Sequence, residues 1–250
     1  MRPRSGLLLL LVAFALLALI FALPRIPQDP SYHALADDRT FFGIPNFLNV
    51  ASNAAFLLVG AAGLISSRVR SAGGATLSWT VFFAGVACIS VGSSYYHWAP
   101  SNATLAWDRL PMTVAFMALF AAVVSEHATP RLERPLLVTA VTAGIASVVW
   151  WNYTDDLGPY IVVQAAPLIA VMLTLAALPP WHTHRRHLLY ALCCYVLAKI
   201  FEFQDVRIFA IWSGAVSGHT LKHLMAALGA FLIFLMLRSR KRLAGVTPPS

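Results

Sequence analysis

The stretch SGHTLKHLMAALGAFLIFLML, residues 217–237, places two histidines and a lysine at the start of a long apolar segment. Its last fourteen residues carry no charge, and a basic tail begins at Arg238. Ionisable groups within a membrane segment are costly, so a helix that only crosses lipid has no use for them. The stretch therefore indicates a membrane helix whose first turns have a chemical role. The partners of His219 and His223 have to come from the rest of the chain.

The composition is that of an integral membrane protein. Of the 250 residues, 59% are hydrophobic and 11% are charged, with a mean hydropathy of +0.71, whereas soluble domains carry about 25% charged residues. A helix needs about 20 mostly apolar residues to cross a bilayer. Eight candidate spans satisfy this requirement approximately, namely 6–23, 46–66, 75–97, 107–125, 136–151, 160–177, 187–203 and 219–237. The sequence predicts an all-α integral membrane protein with eight spans, the first of them near the N-terminus.

Three regions follow from this assignment. Residues 1–24 form an N-terminal hydrophobic segment, interpreted as an uncleaved signal-anchor or extra helix, with a cleaved signal peptide as the alternative. Residues 25–238 form the seven-helix membrane domain. Residues 239–250 form a basic tail that is predicted to be disordered and cytoplasmic.

The net charge of +8 lies mainly at the ends of the spans. If the N-terminus is inside, the cytoplasmic segments hold twelve lysines and arginines and the opposite side holds four. This asymmetry predicts that both termini are cytoplasmic. No nucleic-acid-binding motif is present, so the positive charge indicates contact with anionic headgroups rather than with nucleic acid.

Five polar residues from three predicted helices fall at one membrane depth. Ser93 and His97 share a face near the end of one span, Asp108 follows at the start of the next, and His219 and His223 share a face at the start of the last. In the predicted orientation all five lie toward the non-cytoplasmic side. Each residue alone has an ordinary structural explanation, but their coincidence at one depth favours a functional site.

Three imidazoles at one depth suit a catalytic zinc ion, which commonly has three protein ligands and a water. Such a metal lowers the pKa of its water to about 7. Asp108 can orient or deprotonate that water, and Ser93 can hydrogen-bond to a developing oxyanion or hold the aspartate. Imidazole also suits other transition metals. A separate ion pair between Lys199 and Glu202, three residues apart, is predicted near the same end.

These motifs resemble the alkaline ceramidase family. The resemblance rests on SxxxH at the end of one helix, an aspartate eleven residues later and HxxxH opening the last helix, over roughly residues 32–237. GIPNFLNV followed by SNAAFLLVG, and SGHTLKHLMAALGA, look most like the bacterial ceramidase-domain branch. The wider superfamily of seven-helix membrane hydrolases includes the adiponectin/progestin receptors and proteins of GPI-anchor remodelling.

The resemblance implies a zinc ion bound by His97, His219 and His223, with Asp108 acting on its water and Ser93 beside it. It also implies hydrolysis of a bilayer lipid, ceramide or another N-acyl lipid, to a sphingoid base and a fatty acid, in a bacterial inner membrane. Receptor or lipid-sensor function, and lipid esterase or phospholipase activity, remain as alternatives. The family's calcium site has only a partial match in Asp37 and Asp38, so calcium dependence is doubtful.

Overall fold

The computed structural model describes residues 24–66, 74–177 and 182–243. Within these ranges the chain is helical, with no β-strand beyond two isolated bridge pairs. The α-helices in chain order are α1 (Phe47–Ala51), α2 (Ala54–Ile65), α3 (Thr76–Trp98), α4 (Asn102–His127), α5 (Glu133–Thr154), α6 (Gly158–Ala177), α7 (Arg186–Phe203), α8 (Asp205–Ile211) and α9 (Gly218–Ser239). The predicted all-α class is confirmed. The predicted first span, 6–23, lies outside the described residues.

Several helices have the length and composition of membrane spans. Five segments qualify, namely Phe47–Ile65, Thr76–Trp98, Asn102–His127, Pro130–Thr154 and Gly218–Ser239. The apolar part of α6, Gly158–Leu173, is shorter, and the 18 residues of α7 include Arg186, Lys199 and Glu202. A multi-pass α-helical membrane protein is therefore confirmed, and the total of eight spans stays a prediction.

Two helix boundaries differ from the sequence-based prediction. The span predicted over 46–66 is two helices, because the chain makes a turn at Ser52 and Asn53 between α1 and α2. The span predicted over 107–125 begins at Asn102, because Ser101 forms a capping box with Thr104. Asp108 therefore lies in the second turn of α4, not at its start.

The helices pack around α4, which contacts α3, α5 and α6, while α9 packs on α7 and α2. The main apolar core includes Trp79, Phe83 and Phe234 and is drawn chiefly from α2, α3, α4 and α9. At Gly60 the backbones of α2 and α3 lie so close that a Cβ would stand 2.5 Å from the amide nitrogen of Ala87. Such close approach through small residues is typical of helix packing in membranes.

Residues 24–46 form an irregular segment, which we call the strap. The strap crosses the end of the bundle where α3 and α5 end and α4 and α9 begin, which we call the site end; the opposite end is the far end. Arg25 forms an ion pair of 3.2 Å with Asp155 after α5. The backbone amide of Ala36 donates to Asp205 Oδ2 at 3.0 Å. The strap thus connects the end of α5 with the start of α8, across the site end of the bundle.

Candidate metal and lipid-binding site

Three histidines meet at the site end. His97 lies in the last turn of α3, and His219 and His223 lie one turn apart at the start of α9. The ring centroids are 4.7 Å apart for His97 and His219, 4.9 Å for His97 and His223, and 5.0 Å for His219 and His223. One ring nitrogen from each lies within 4.8 Å of the others. The structure therefore brings together the three predicted metal ligands.

The surroundings of these rings fit a metal ion. His97 is completely buried, and neither Nδ1 nor Nε2 of its ring has a hydrogen-bond partner among the described residues. Buried polar groups are nearly always satisfied in native proteins, so such a group calls for a missing partner. Three neutral imidazoles supply the donor set that zinc and similar transition metals prefer.

Hydrogen bonds around the histidines hold the rings in place. Ser52 Oγ donates to the carbonyl of Asn49 at 3.1 Å and lies 2.8 Å from Nδ1 of His223. When the serine proton points to Asn49, His223 Nδ1–H can donate to Ser52, which leaves the Nε2 lone pair for a metal. At the start of α9, the backbone amide of His219 donates to Asp205 Oδ1 at 2.7 Å. The turn between α1 and α2 and the start of α8 thus position the predicted metal ligands.

Asn49 extends this support to the first turn of α9. Its side-chain oxygen accepts from Thr220 Oγ1 at 2.9 Å and from Ser217 Oγ at 3.3 Å, and its amide nitrogen donates to the Asp37 carbonyl at 3.1 Å. Neither Asn49 nor Ser52 was predicted to be a site residue from the sequence. The signal was present, because Ser52 follows Asn49 by three residues in the polar opening of the span.

Ser93 and Asp108 lie beside the histidines. They are 1% and 5% exposed, and the Ser93 hydroxyl lies near the Asp108 carboxyl group. Both line one cavity with His223. The structure therefore brings these predicted site residues together, and the role of Ser93 in holding the aspartate stays a prediction.

This cavity has a volume of about 450 Å³ and a largely apolar wall. The wall draws on α2, α3, α4, α6, α7 and α9, and includes Phe82, Phe116, Leu168, Leu192 and Ile233. Helices α6 and α7 both line it, yet they contact each other only sparsely. The volume lies within the range of about 300–1,000 Å³ typical of ligand sites. The shape and lining suit an aliphatic chain.

Charged groups gather where the cavity meets the histidines. Glu202 Oε1 accepts from Lys222 Nζ at 2.6 Å and from the Tyr32 hydroxyl at 2.9 Å, and Glu202 Oε2 accepts from Lys199. Lys222 Nζ also lies 3.4 Å from His219 Nε2. The predicted Lys199–Glu202 pair is confirmed. The second partner, Lys222, was not predicted.

Asp37, from the partial calcium motif, has another role in the structure. It is 1% exposed and forms a two-bond ion pair with Arg39, each bond 2.7 Å long. Arg39 also donates to the Ala215 carbonyl at 3.1 Å. This pair fastens the strap to the loop before α9.

Comparison with curated proteins finds no significant similarity to the chain. A family described as Ceramidase matches residues 42–243, which include every helix listed above and all five predicted site residues. Membership of this family implies a ceramidase-like amide hydrolase and fits the apolar cavity and the buried histidines. The match covers most of the 250 residues, and the chain belongs to the ceramidase family.

Proposed function

We propose that this protein is a zinc-dependent amidohydrolase of membrane lipids. It cleaves the amide of a ceramide-like N-acyl lipid to a long-chain amine, the sphingoid base in the case of ceramide, and a free fatty acid. One observation carries the proposal: three buried histidines, including the unpartnered ring of His97, form a cluster, and one of them, His223, lines an apolar cavity of about 450 Å³.

His97, His219 and His223 would hold the metal. When bound, zinc supplies a Lewis acid that polarises the amide carbonyl and makes water acidic enough to act as a nucleophile near neutral pH. Ser52 and Asp205 keep His223 and the start of α9 in place for this ligation.

Asp108 is the proposed acid–base residue. It accepts a proton from the attacking water, whose oxygen forms the new bond to the amide carbon. It then returns that proton to the nitrogen as the C–N bond breaks, so the products are a carboxylic acid and an amine. Ser93 lines the cavity beside the carboxyl group, where a hydrogen bond from its hydroxyl would hold the carboxyl group in position. Positioned acid–base groups of this kind contribute about 10²–10⁴-fold to rate.

The lipid would enter sideways from the bilayer. The sparse contact between α6 and α7 supports entry of the acyl chain between them, with the chain in the apolar cavity and its amide at the histidines. The distribution of lysine and arginine supports a site on the non-cytoplasmic side of a bacterial inner membrane, with both termini in the cytoplasm.

The test is fatty-acid release by the purified protein in neutral detergent. The panel contains ceramides, other N-acyl amines, esters and phospholipids, each with and without a chelator, and Arg207→Gln serves as a control that changes an exposed charge at the same end. Chelator-sensitive release from N-acyl lipids is expected. Release of fatty acid from esters alone would show that the protein is an esterase and not an amidase. Stoichiometric metal without any turnover would favour a lipid sensor.

A further inference from the structure

The polar end of the cavity carries more positive than negative side chains. Three cations, Arg109, Lys199 and Lys222, line it together with two carboxylates, Asp108 and Glu202. Arg109 is 6% exposed, whereas the side chains of Lys222 and Lys199 are 14% and 39% exposed. A buried charge without a direct counter-charge is costly. A ligand that brings a negative charge to Arg109 and Lys222 would lower this cost.

Glu202 cannot neutralise both lysines that it contacts. Lys222 and Lys199 each donate to one of its two oxygens, and the Tyr32 hydroxyl occupies Oε1 as well. An ammonium group has three donors. The bond to Glu202 uses one of those on Lys222, and the contact with His219 Nε2 at 3.4 Å places the ammonium beside the histidines. A further donor is available to a ligand in the cavity.

Arg109 is the most unusual of the three cations. It is 6% exposed, and its guanidinium carbon lies 4.0 Å from the ring centroid of Trp151 and 4.7 Å from that of Tyr160. Its Nη2 donates to the Gln28 side chain at 2.6 Å. Its Nη1 has no partner in the described part of the chain. The two rings and the strap therefore hold a guanidinium in a fixed position with an unused donor.

Arg109 has no direct carboxylate partner in the described part of the chain. None of the ion pairs found among residues 24–66, 74–177 and 182–243 includes it. Its neighbour in sequence, Asp108, is not in any of these pairs either. Arginine stays charged in proteins and matches the geometry of carboxylates.

We infer that Arg109, with Lys222, binds a carboxylate on the amine portion of the substrate. The preferred substrates are then N-acyl amino-acid lipids, in which a carboxylate lies a few bonds from the amide. The carboxylate of such a head group can accept the unused donors of Arg109 and Lys222, whereas the neutral diol of a ceramide brings no charge to them. This inference rests on the proposed amidase function and names its substrate class.

The test compares two substrates that differ only in the charged group. N-Acylglycine and N-acylethanolamine of one chain length are hydrolysed by the holoenzyme in neutral detergent. We expect kcat/KM to be about 10–100-fold higher for N-acylglycine, the range for a charge-assisted hydrogen bond. Arg109→Gln should remove most of this preference, mainly through KM for N-acylglycine. Arg207→Gln, which removes an exposed charge outside the cavity, should keep it.

A second variant and a binding measurement distinguish a loss of carboxylate recognition from misfolding of Arg109→Gln. Lys222→Met should reduce the same preference without disturbing the packing of Arg109 on Trp151. Asp108→Asn allows equilibrium binding of both lipids to be measured without turnover, and it should bind N-acylglycine about tenfold or more tightly than N-acylethanolamine, as one charge-assisted bond requires.

Three outcomes would overturn the inference. The first is equal or faster hydrolysis of N-acylethanolamine and ceramide, which would leave the amidase function intact. The second is an unchanged substrate preference in Arg109→Gln together with altered inhibition by free fatty acid. This result would show that Arg109 and Lys222 bind the carboxylate of the fatty-acid product instead. The third is a failure to hydrolyse any N-acyl lipid, which would contradict the proposed amidase function itself.

Discussion

The two ends of the helix bundle bury ionisable groups in opposite ways. At the far end, Glu126 on α4 and Arg240 after α9 form a bidentate pair with bonds of 2.9 and 2.7 Å. Trp79 Nε1 and the backbone amide of Ala75 also donate to Glu126, at 2.7 and 3.2 Å. At the site end, both ring nitrogens of His97 lack a hydrogen-bond partner within the described residues.

This difference distinguishes ionisable groups that stabilise the fold, at the far end, from groups without a protein partner that a ligand can bind, at the site end. A buried carboxylate with four donors is satisfied by the protein itself, so the far end behaves as a clasp between α4 and the end of α9. Buried polar groups without partners destabilise the free protein and gain most when a ligand arrives. Substitutions at one end can therefore be compared with substitutions at the other end, which serve as controls.

Replacing Asp108 with asparagine should have the largest effect on activity. The amide keeps the shape of the carboxyl group and its contact with Ser93, but it cannot accept the proton from water. We expect kcat to fall by about 10²–10⁴-fold, the contribution of a positioned acid–base group. Bound metal and thermal midpoint should match those of the unaltered protein. Loss of metal from the variant would instead assign Asp108 to metal binding.

Metal removal should lower stability only where the histidines are intact. A ligand that binds the folded state at a thousand times its dissociation constant stabilises it by about 4 kcal/mol. Unfolding in detergent should therefore shift to lower temperature when chelator is added to the unaltered protein, and should not shift for His97→Ala. A chelator effect of equal size in both proteins would place the metal elsewhere.

Breaking the Glu126–Arg240 pair at the far end should lower the stability of the protein without changing its catalytic rate. Glu126→Ala leaves Arg240 buried without its carboxylate, and loss of one partner of a buried pair costs about 3–5 kcal/mol. The thermal midpoint should fall while kcat of the folded fraction stays the same. The exposed pair of Arg25 and Asp155, with side chains 60% and 41% exposed, provides the control: Arg25→Gln should change stability by about 1 kcal/mol or less.

The sequence predicted the helical class well because long apolar runs have few alternatives in a bilayer. Two boundaries were wrong for local reasons. The polar side chains of Ser52 and Asn53 do not show by themselves that the chain turns there, and the capping box of Ser101 and Thr104 extends α4 into residues assigned to a loop. Hydropathy finds the apolar part of a helix, whereas capping decides where the helix starts.

The grouping of the site residues was predicted from membrane depth, from the i, i+4 spacing within two helices and from the family resemblance. Depth places a residue along the helix axis, but the rotation of each helix decides which side chains meet. His97 and the α9 histidines proved to face one another. The link from Lys222 to Glu202 and the packing of Arg109 on Trp151 depend on rotation and on the strap, so sequence reasoning did not find them.

Ser52→Ala should have the smallest effect, and it tests whether the turn between α1 and α2 belongs to the metal site. The hydroxyl relays a hydrogen bond from His223 Nδ1 to the Asn49 carbonyl. Removing such a partner of a ligating histidine typically lowers metal affinity by about 10–100-fold. Competition with a chelator of known affinity measures the change. Ser52→Thr, which keeps the hydroxyl, should restore the affinity.

Ser90→Ala is the matched control for this change. Ser90 is also buried, but its hydroxyl donates to the Ala87 carbonyl of its own helix at 2.7 Å. Its removal should leave metal affinity as it is. Equal losses in both variants would show that any buried hydroxyl near the site affects it through packing. A loss confined to Ser52→Ala would show that the site end depends on the orientation of one imidazole, whereas the far end depends on a charge pair.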